Sequence, residues 1–384
     1  MSLETLRTGS SPAPADPARL DPDFTMTSGR WTLRAEGGDR LTPVLSSPEA
    51  ARDLLERLRD RERATGRTQL LYGLIPFDLT EPADLHVADR AAWRPRTVEA
   101  TSLGAEGDAR PPADSPAYRA IVAEALRRIE AGEAEKAVLS RTMTLALDAA
   151  RLPEASRLIA ERLAASSRRA DVFRVRRAEG ETWVGASPEI IADVSDSRFL
   201  THPLAGSLPR TPGGLDAETA AERLSASAKD LHEHRFVTRH IAEALAPLAE
   251  ELSLPEEPEL FGTDAMWHLG TRITGRLHPE VSALEAALAL HPTPAVGGTP
   301  AAPALRMIRE LEGASRGFYS GLVGWTDSSG NGRWSLVLRC ASSRGEALTL
   351  YAGAGVVSGS TPAGEHEETG AKFSTMLRTL EGLL

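Results

Sequence analysis

The chain has 384 residues, 41% of them hydrophobic, and a formal net charge of -10. That content can bury a large core, and the acidity excludes a nucleic-acid backbone as the partner. One cysteine, Cys340, excludes an internal disulfide framework and fits a reducing, cytoplasmic setting, and no run of 18 apolar residues could span a membrane.

Residues 1–29 are rich in Ser, Pro, Ala and Asp, lack the apolar stretch of a signal peptide, and read as a disordered leader. Residues 30–384 read as a single domain. Its first strand is expected at 30–35. Ser47 should cap a helix over 48–66, with Leu54, Leu55 and Leu58 on one face. A strand follows at 69–77. Residues 98–115 form a Gly/Ala/Pro/Asp loop, read as an excursion within one domain because 30–97 is too short to bury its own core. Ser115 should cap the next helix, 116–132, with Ile121, Ala125, Leu126 and Ile129 inward. Beyond it come a strand at 136–147 and a helix at 153–165. Short strands at 172–176, 182–185, 190–194 and 199–203 read as one antiparallel meander. Residues 217–252 are expected mostly helical, 267–277 a strand, and 282–290 and 303–312 helices. Strands at 317–325, 332–341 and 347–353 follow, the first two joined by a tight turn at 327–332. A C-terminal helix closes an α+β order of elements.

The chemistry-bearing residues gather near the C-terminus. Tyr351 to Gly355 reads as a strand end shrunk to glycine and alanine, which suits close approach of a ligand to the backbone at Gly353 and Gly355. Glu365, Glu368 and Lys372 then fall at i, i+3 and i+7, on one helical face. Two carboxylates and an ammonium there could hold a hard metal ion and an anion, although a solvated helix start would look the same. Lysine is rare: Lys136, Lys229 and Lys372 are the only three among 44 basic residues. Lys136 opens a strand beside an apolar run, where burial would make it a candidate base; an exposed strand-end lysine is the plainer reading. Glu189 follows Ser187-Pro188 and precedes Ile190-Ile191. A carboxyl group in such company can hold its proton near neutral pH, and a turn with an exposed glutamate is the alternative.

Asp230 and Glu233 repeat the i, i+3 spacing on a second helix. Two helices each offering two carboxylates make a plausible Mg²⁺ site, although a pair of solvated faces has the same pattern. His232 and His234 lie on different faces and do not join Glu233 in a zinc site. The segments 202–210, 267–271 and 291–298 are rigid and small-residue rich, suited to backbone–ligand contact or to ordinary turns. Arg339, within an apolar strand, needs an anionic partner such as a carboxylate.

The ordered array KAVLSR, GASPE, HPLAGSLPR, KDLHEH, WHLGT, HPTPAVGG, FYSGLVGW, LRCA, YAGAG and GEHEETGAK resembles the chorismate-utilising enzymes. Within these it is most similar to the isochorismate synthases of siderophore and menaquinone pathways. The resemblance covers about 116–380 and takes in all three lysines. It implies one α+β domain of two large antiparallel sheets packed face to face, helices outside, acting as a monomer on chorismate. It implies Lys136 as the base activating water at ring carbon 2 and Glu189 as the acid protonating the departing carbon 4 hydroxyl. Glu233 and Glu368 would hold Mg²⁺, with Asp230 and Glu365 as outer or water-mediated ligands. Arg339, Tyr319 and the backbone near Gly353 would hold the pyruvyl carboxylate. Gly206, Ser207 and His268 would line the ring, Lys372 would stand near the metal-bound carboxylate, and Thr271, Ala295 and Gly355 would complete the substrate site. Ala205 stands where aminating relatives of the covalent type carry lysine, which favours water as nucleophile. A salicylate synthase is the nearer alternative, and a non-catalytic binding protein the more distant one.

Overall fold

Alternating apolar side chains build two sheets that share one interior. Phe24, Met26, Leu33, Phe173, Val175 and Trp183 from one sheet pack with Tyr72, Leu74 and Val323 from the other in a single buried cluster. Strand side chains alternate between faces, so the same strands feed two further cores. Val172, Val184 and Leu350 meet Ile159, Leu163, Phe373 and Met376 of the helices Leu152–Ser166 and Pro362–Leu377. Leu71, Ile75, Leu322 and Leu336 meet helices that include Pro48–Thr65 and Ala283–Leu290. The result is the expected α+β sandwich, two sheets face to face with helices outside.

This computed structural model describes residues 22–96, 114–210, 214–263 and 266–384. Among these residues both large sheets have nine strands, and a third has three. In the first sheet Lys136–Ala146 runs beside Ala347–Val357, then Cys340–Arg344, Glu181–Ser187 and Asp171–Arg176. In the second, Arg198–His202, Ile190–Ser195, Gly332–Leu336 and Leu322–Asp327 lie side by side. The small sheet comprises Leu204–Pro209, Met266–Gly270 and Glu259–Gly262. Each pairing recorded among the described residues is antiparallel.

Several expectations change. Part of the leader expected at 1–29 is structured: Phe24–Ser28 is a strand between Asp171–Arg176 and Trp31–Glu36, with Phe24 and Met26 buried. Residues 1–21 and most of the 98–115 loop lie outside the described residues. The strands of 31–95 extend the far edges of both large sheets. The 116–132 helix is Pro116–Glu130, and it buries Tyr118 and Val122 with Ala125 and Ile129 instead of Ile121 and Leu126. Ser115 caps it, accepting from Tyr118 N, whereas Ser47 sits at its N-cap position without a side-chain cap bond. Residues 217–252 split into helices Ala217–Ala226 and Ala228–Leu245 and a strand, Ala249–Ser253.

The expected strand 317–325 begins only at Leu322 and runs to Asp327, after a turn. Three further differences share one cause: the chain crosses between sheets. The expected meander is two hairpins, one in each large sheet, joined at Pro188-Glu189. The expected strand 332–341 breaks at 337–339 and passes from the second sheet to the first. Arg339, the last residue before Cys340–Arg344, takes φ 47°, a left-handed conformation uncommon for a side-chain-bearing residue. The expected strand 267–277 likewise divides at Thr271-Arg272 between the small sheet and the second large one. The C-terminal strand, by contrast, does not stop at Gly353 but continues to Val357.

Candidate active site

The two main crossovers are tied together. Leu336 N donates to Glu189 O at 3.1 Å, and Ala186 N donates to Arg339 O at 3.1 Å. Each crossover thus holds the backbone of the other, at the seam where the sheets part. A cavity of about 290 Å³ opens there.

The structure brings most of the sequence-marked residues to its wall. Glu189, His268, Tyr319, Arg339, Glu368 and Lys372 line it, as do Gly206, Ser207, Ala295, Gly353 and Gly355. Lys136 does not: it is fully buried as the first residue of its strand, within electrostatic reach of Glu189. Glu365 is also buried and off the wall, one turn before Glu368 on the helix Pro362–Leu377. Thr271 is buried and off the wall, its hydroxyl 2.6 Å from His234 Nε2. Asp230 and Glu233 fall on the helix Ala228–Leu245, and their side chains lie outside the described residues.

The electrostatics separate the groups. Glu189 is 3% exposed, and its Oε1 finds no hydrogen-bond partner among the described residues. Burial pushes its carboxyl from 4.5 up to about 8, against the lowering influence of a backbone bond from Leu204 and the charges of Lys136, Arg339 and Lys372. Arg339 is pulled below its ordinary value by burial, with Tyr319, Glu368 and Glu189 acting in the opposite sense. Lys372 Nζ donates to Glu368 Oε1 at 2.6 Å and to Gly353 O at 2.8 Å. The lysine thereby ties the helix to the small-residue strand. A Cβ on Gly353 would stand 3.0 Å from the Tyr319 hydroxyl and 3.2 Å from Leu139 O, so a larger residue would push against the wall.

His268 is buried, and burial holds it well below its ordinary value, so the ring is neutral. Its Nδ1 lies 2.9 Å from Ser207 Oγ and 3.3 Å from Gly206 O. Gly206 can present that carbonyl because it adopts φ 71° at a register shift between Ala205 and Ser207. His268 Nε2 has no partner among the described residues.

Two contributions carried no sequence signal. Ser320 lines the cavity in a left-handed conformation, φ 61°, that its sequence neighbours do not announce. Arg316 is buried in a pair with Glu312 at 2.6 Å. It donates to Val296 O at 2.9 Å and to Val138 O at 2.5 Å, holding two wall segments in register. A charge at that position looks solvent-facing until the 7% exposure of Arg316 is seen.

A neutral carboxylic acid, a buried guanidinium and a carboxylate–ammonium pair around one small cavity suit a small anion that is protonated during reaction. Residues 94–381 match the chorismate binding enzyme family. The chain belongs to that family. Isochorismate synthase DhbC of Bacillus subtilis is 37% identical over 93% of this chain and 93% of its own length. Isochorismate synthase EntC of Escherichia coli K12 is 38% identical over 81% of each. A Bacillus anthracis structure assigned as DhbC, a 2,3-dihydroxybenzoate-specific isochorismate synthase, superimposes with TM-score 0.82 at 34% identity, covering 94% of this chain and 96% of that one. Among the described residues no helix is long and apolar enough to cross a membrane.

Proposed function

We propose that this protein is an isochorismate synthase, converting chorismate to isochorismate. The observation that carries the reading is Glu189, a carboxyl group held protonated near neutral pH in the same cavity as the buried cation Arg339. Chorismate is a dicarboxylate whose carbon 4 hydroxyl leaves only if it is protonated. Lys136, buried off the wall but within electrostatic reach of Glu189, is the base in this reading: it takes a proton from water as the water oxygen bonds to ring carbon 2. The ring double bonds shift, the carbon 4–oxygen bond breaks, and Glu189 gives its proton to the departing hydroxyl, which leaves as water. Substrate and product are isomers, so no oxidant or reductant is needed. Arg339 and Tyr319 grip the pyruvyl carboxylate, and His268, Ser207 and Gly206 bound the ring on the opposite side.

Mg²⁺ fits the donor set. Glu365 and Glu368 are spaced i, i+3 on one helix, Glu365 buried and Glu368 on the cavity wall, and both offer hard oxygen ligands. Among the described residues no three His, Cys, Asp or Glu side chains stand together as a metal group. Glu233 and Asp230, on the helix Ala228–Leu245, would complete the set. Bound there, the ion would neutralise and orient the ring carboxylate. The product would feed siderophore or menaquinone biosynthesis.

The deciding experiment incubates the purified protein with chorismate and Mg²⁺ and separates isochorismate, salicylate and pyruvate over time. Isochorismate is the expected product, lost in excess chelator and restored by added Mg²⁺. Full turnover in chelator would remove the metal from the reading, and no turnover with Mg²⁺ would sink it. Ala205, Trp267-His268 and the 291–298 segment favour release at isochorismate; enzyme-dependent salicylate formed in step with pyruvate would assign the protein to the salicylate synthases.

A further inference from the structure

A second, larger cavity of about 510 Å³ adjoins the first, and Pro188 and Arg339 line both. Its wall carries Arg168, Arg169 and Arg210 in addition to Arg339, and among the described residues it carries no carboxylate. That is a marked local excess in a chain of net charge -10. Arg168 and Arg169 follow the end of the helix Leu152–Ser166, and Arg210 follows the strand Leu204–Pro209, so separate elements converge their charge on one opening. Two of the guanidiniums are held in place. Arg210 lies 4.5 Å over the Trp267 ring and donates to Thr263 O at 2.8 Å, and Arg169 lies 5.9 Å over the Phe261 ring. Aromatic faces position such cations without neutralising them.

We infer that this arginine-lined cavity is an antechamber that captures small dicarboxylates and passes them to the inner cavity along Arg339. The inference rests on the proposed function for the identity of the natural ligand, and on the lining alone for its charge. Against an acidic surface, a walled patch of one sign raises the local concentration of an oppositely charged ligand and its rate of association by about 10- to 1,000-fold, and salt screens the effect. Arg168, Arg169 and Arg210 therefore govern how fast substrate arrives, and Arg339 receives it.

The test compares the wild type with the triple variant Arg168→Gln, Arg169→Gln, Arg210→Gln, from low to high ionic strength. For chorismate, wild-type kcat/KM should fall steeply with salt. The variant should start about tenfold lower at low salt and stay nearly flat, with the loss in kcat/KM and not in kcat. A triple lysine variant, which keeps the charge, should recover the salt slope. A second arm measures quenching of tryptophan fluorescence by isophthalate, an unreactive dicarboxylate, since Trp267 sits beneath Arg210. Isophthalate affinity at low salt should drop in the glutamine variant and return in the lysine variant. If chorismate is not turned over at all, the proposed function fails while the isophthalate arm still decides the antechamber. Equal kcat/KM and equal quenching in wild type and glutamine variant at low salt would overturn it, as would a lysine variant no better than the glutamine one.

Discussion

Glu189 is a cavity-wall carboxyl that the fold removes from water. Its carboxyl is raised from 4.5 to about 8 by burial. Raised in the folded state, it contributes stability that is fully present below about 4.5 and is lost as pH rises through about 8. Glu189→Gln removes the ionisation but keeps the shape. Turnover should fall by about 10² to 10⁴, as for a positioned acid. The thermal midpoint should show the opposite trend, with the variant gaining on wild type as pH climbs across that window and levelling off above it. Parallel melting curves of the two proteins at every pH would contradict the raised carboxyl. If Glu189 is the acid, as proposed, wild-type activity should also decline above about pH 8 as its carboxyl ionises.

At the scale of elements, the site is made by crossovers. Arg339 sits at φ 47° in the link between Gly332–Leu336 and Cys340–Arg344, where a glycine would rest without strain. A non-glycine residue in a sparsely populated region costs about 1–3 kcal/mol, and burying a guanidinium adds a further penalty. Arg339→Gly should therefore hold or raise stability, by about 1 kcal/mol after the greater chain entropy of glycine is counted, while chorismate binding is lost. Thermal melting and substrate titration on the same preparation measure both. A variant that melts well below wild type would show that the arginine supports the crossover and is not strained by it. Neighbouring crossovers follow the same plan: Pro203 carries one strand from the second sheet into the small one, and Thr271-Arg272 carries its partner back.

Across the whole molecule, the N-terminal strands complete both sheets. Phe24–Ser28 pairs with Asp171–Arg176 and carries Trp31–Glu36 on its other side, and Leu70–Ile75 pairs with Leu322–Asp327 along its length. The family match begins at residue 94, yet the shared interior needs Phe24, Met26, Leu33, Tyr72 and Leu74 from before it. A fragment starting at residue 97 should expose Phe173, Val175 and Val323, leave two strand edges open, and aggregate or remain unfolded. Phe24→Ala in the intact chain should cost about 3–5 kcal/mol. Circular dichroism and size-exclusion chromatography test the fragment; a soluble, folded piece that turns over chorismate would show that the N-terminal strands are dispensable.

The candidate residues that meet at the cavity were legible because their types and spacing are local. Glu365, Glu368 and Lys372 share a helical face at i, i+3 and i+7 whatever surrounds the helix, and Ser187-Pro188 before Glu189 marks a constrained carboxyl. The helices Pro48–Thr65 and Ala283–Leu290 were legible for the same reason, since capping residues and periodic apolar positions lie within one turn of each other. What the order of residues could not show is which sheet a strand joins. The meander at 172–203 and the strand at 332–341 each look continuous, because an apolar alternation survives a change of sheet. Only tertiary packing puts Pro188-Glu189 and 337–339 at the seam and hydrogen-bonds each crossover to the other. The same packing draws Arg168, Arg169 and Arg210 together from separate elements, and removes Glu189 from water so that it keeps its proton. Charge and burial are sums over neighbours in space, and most of those neighbours lie far away along the chain.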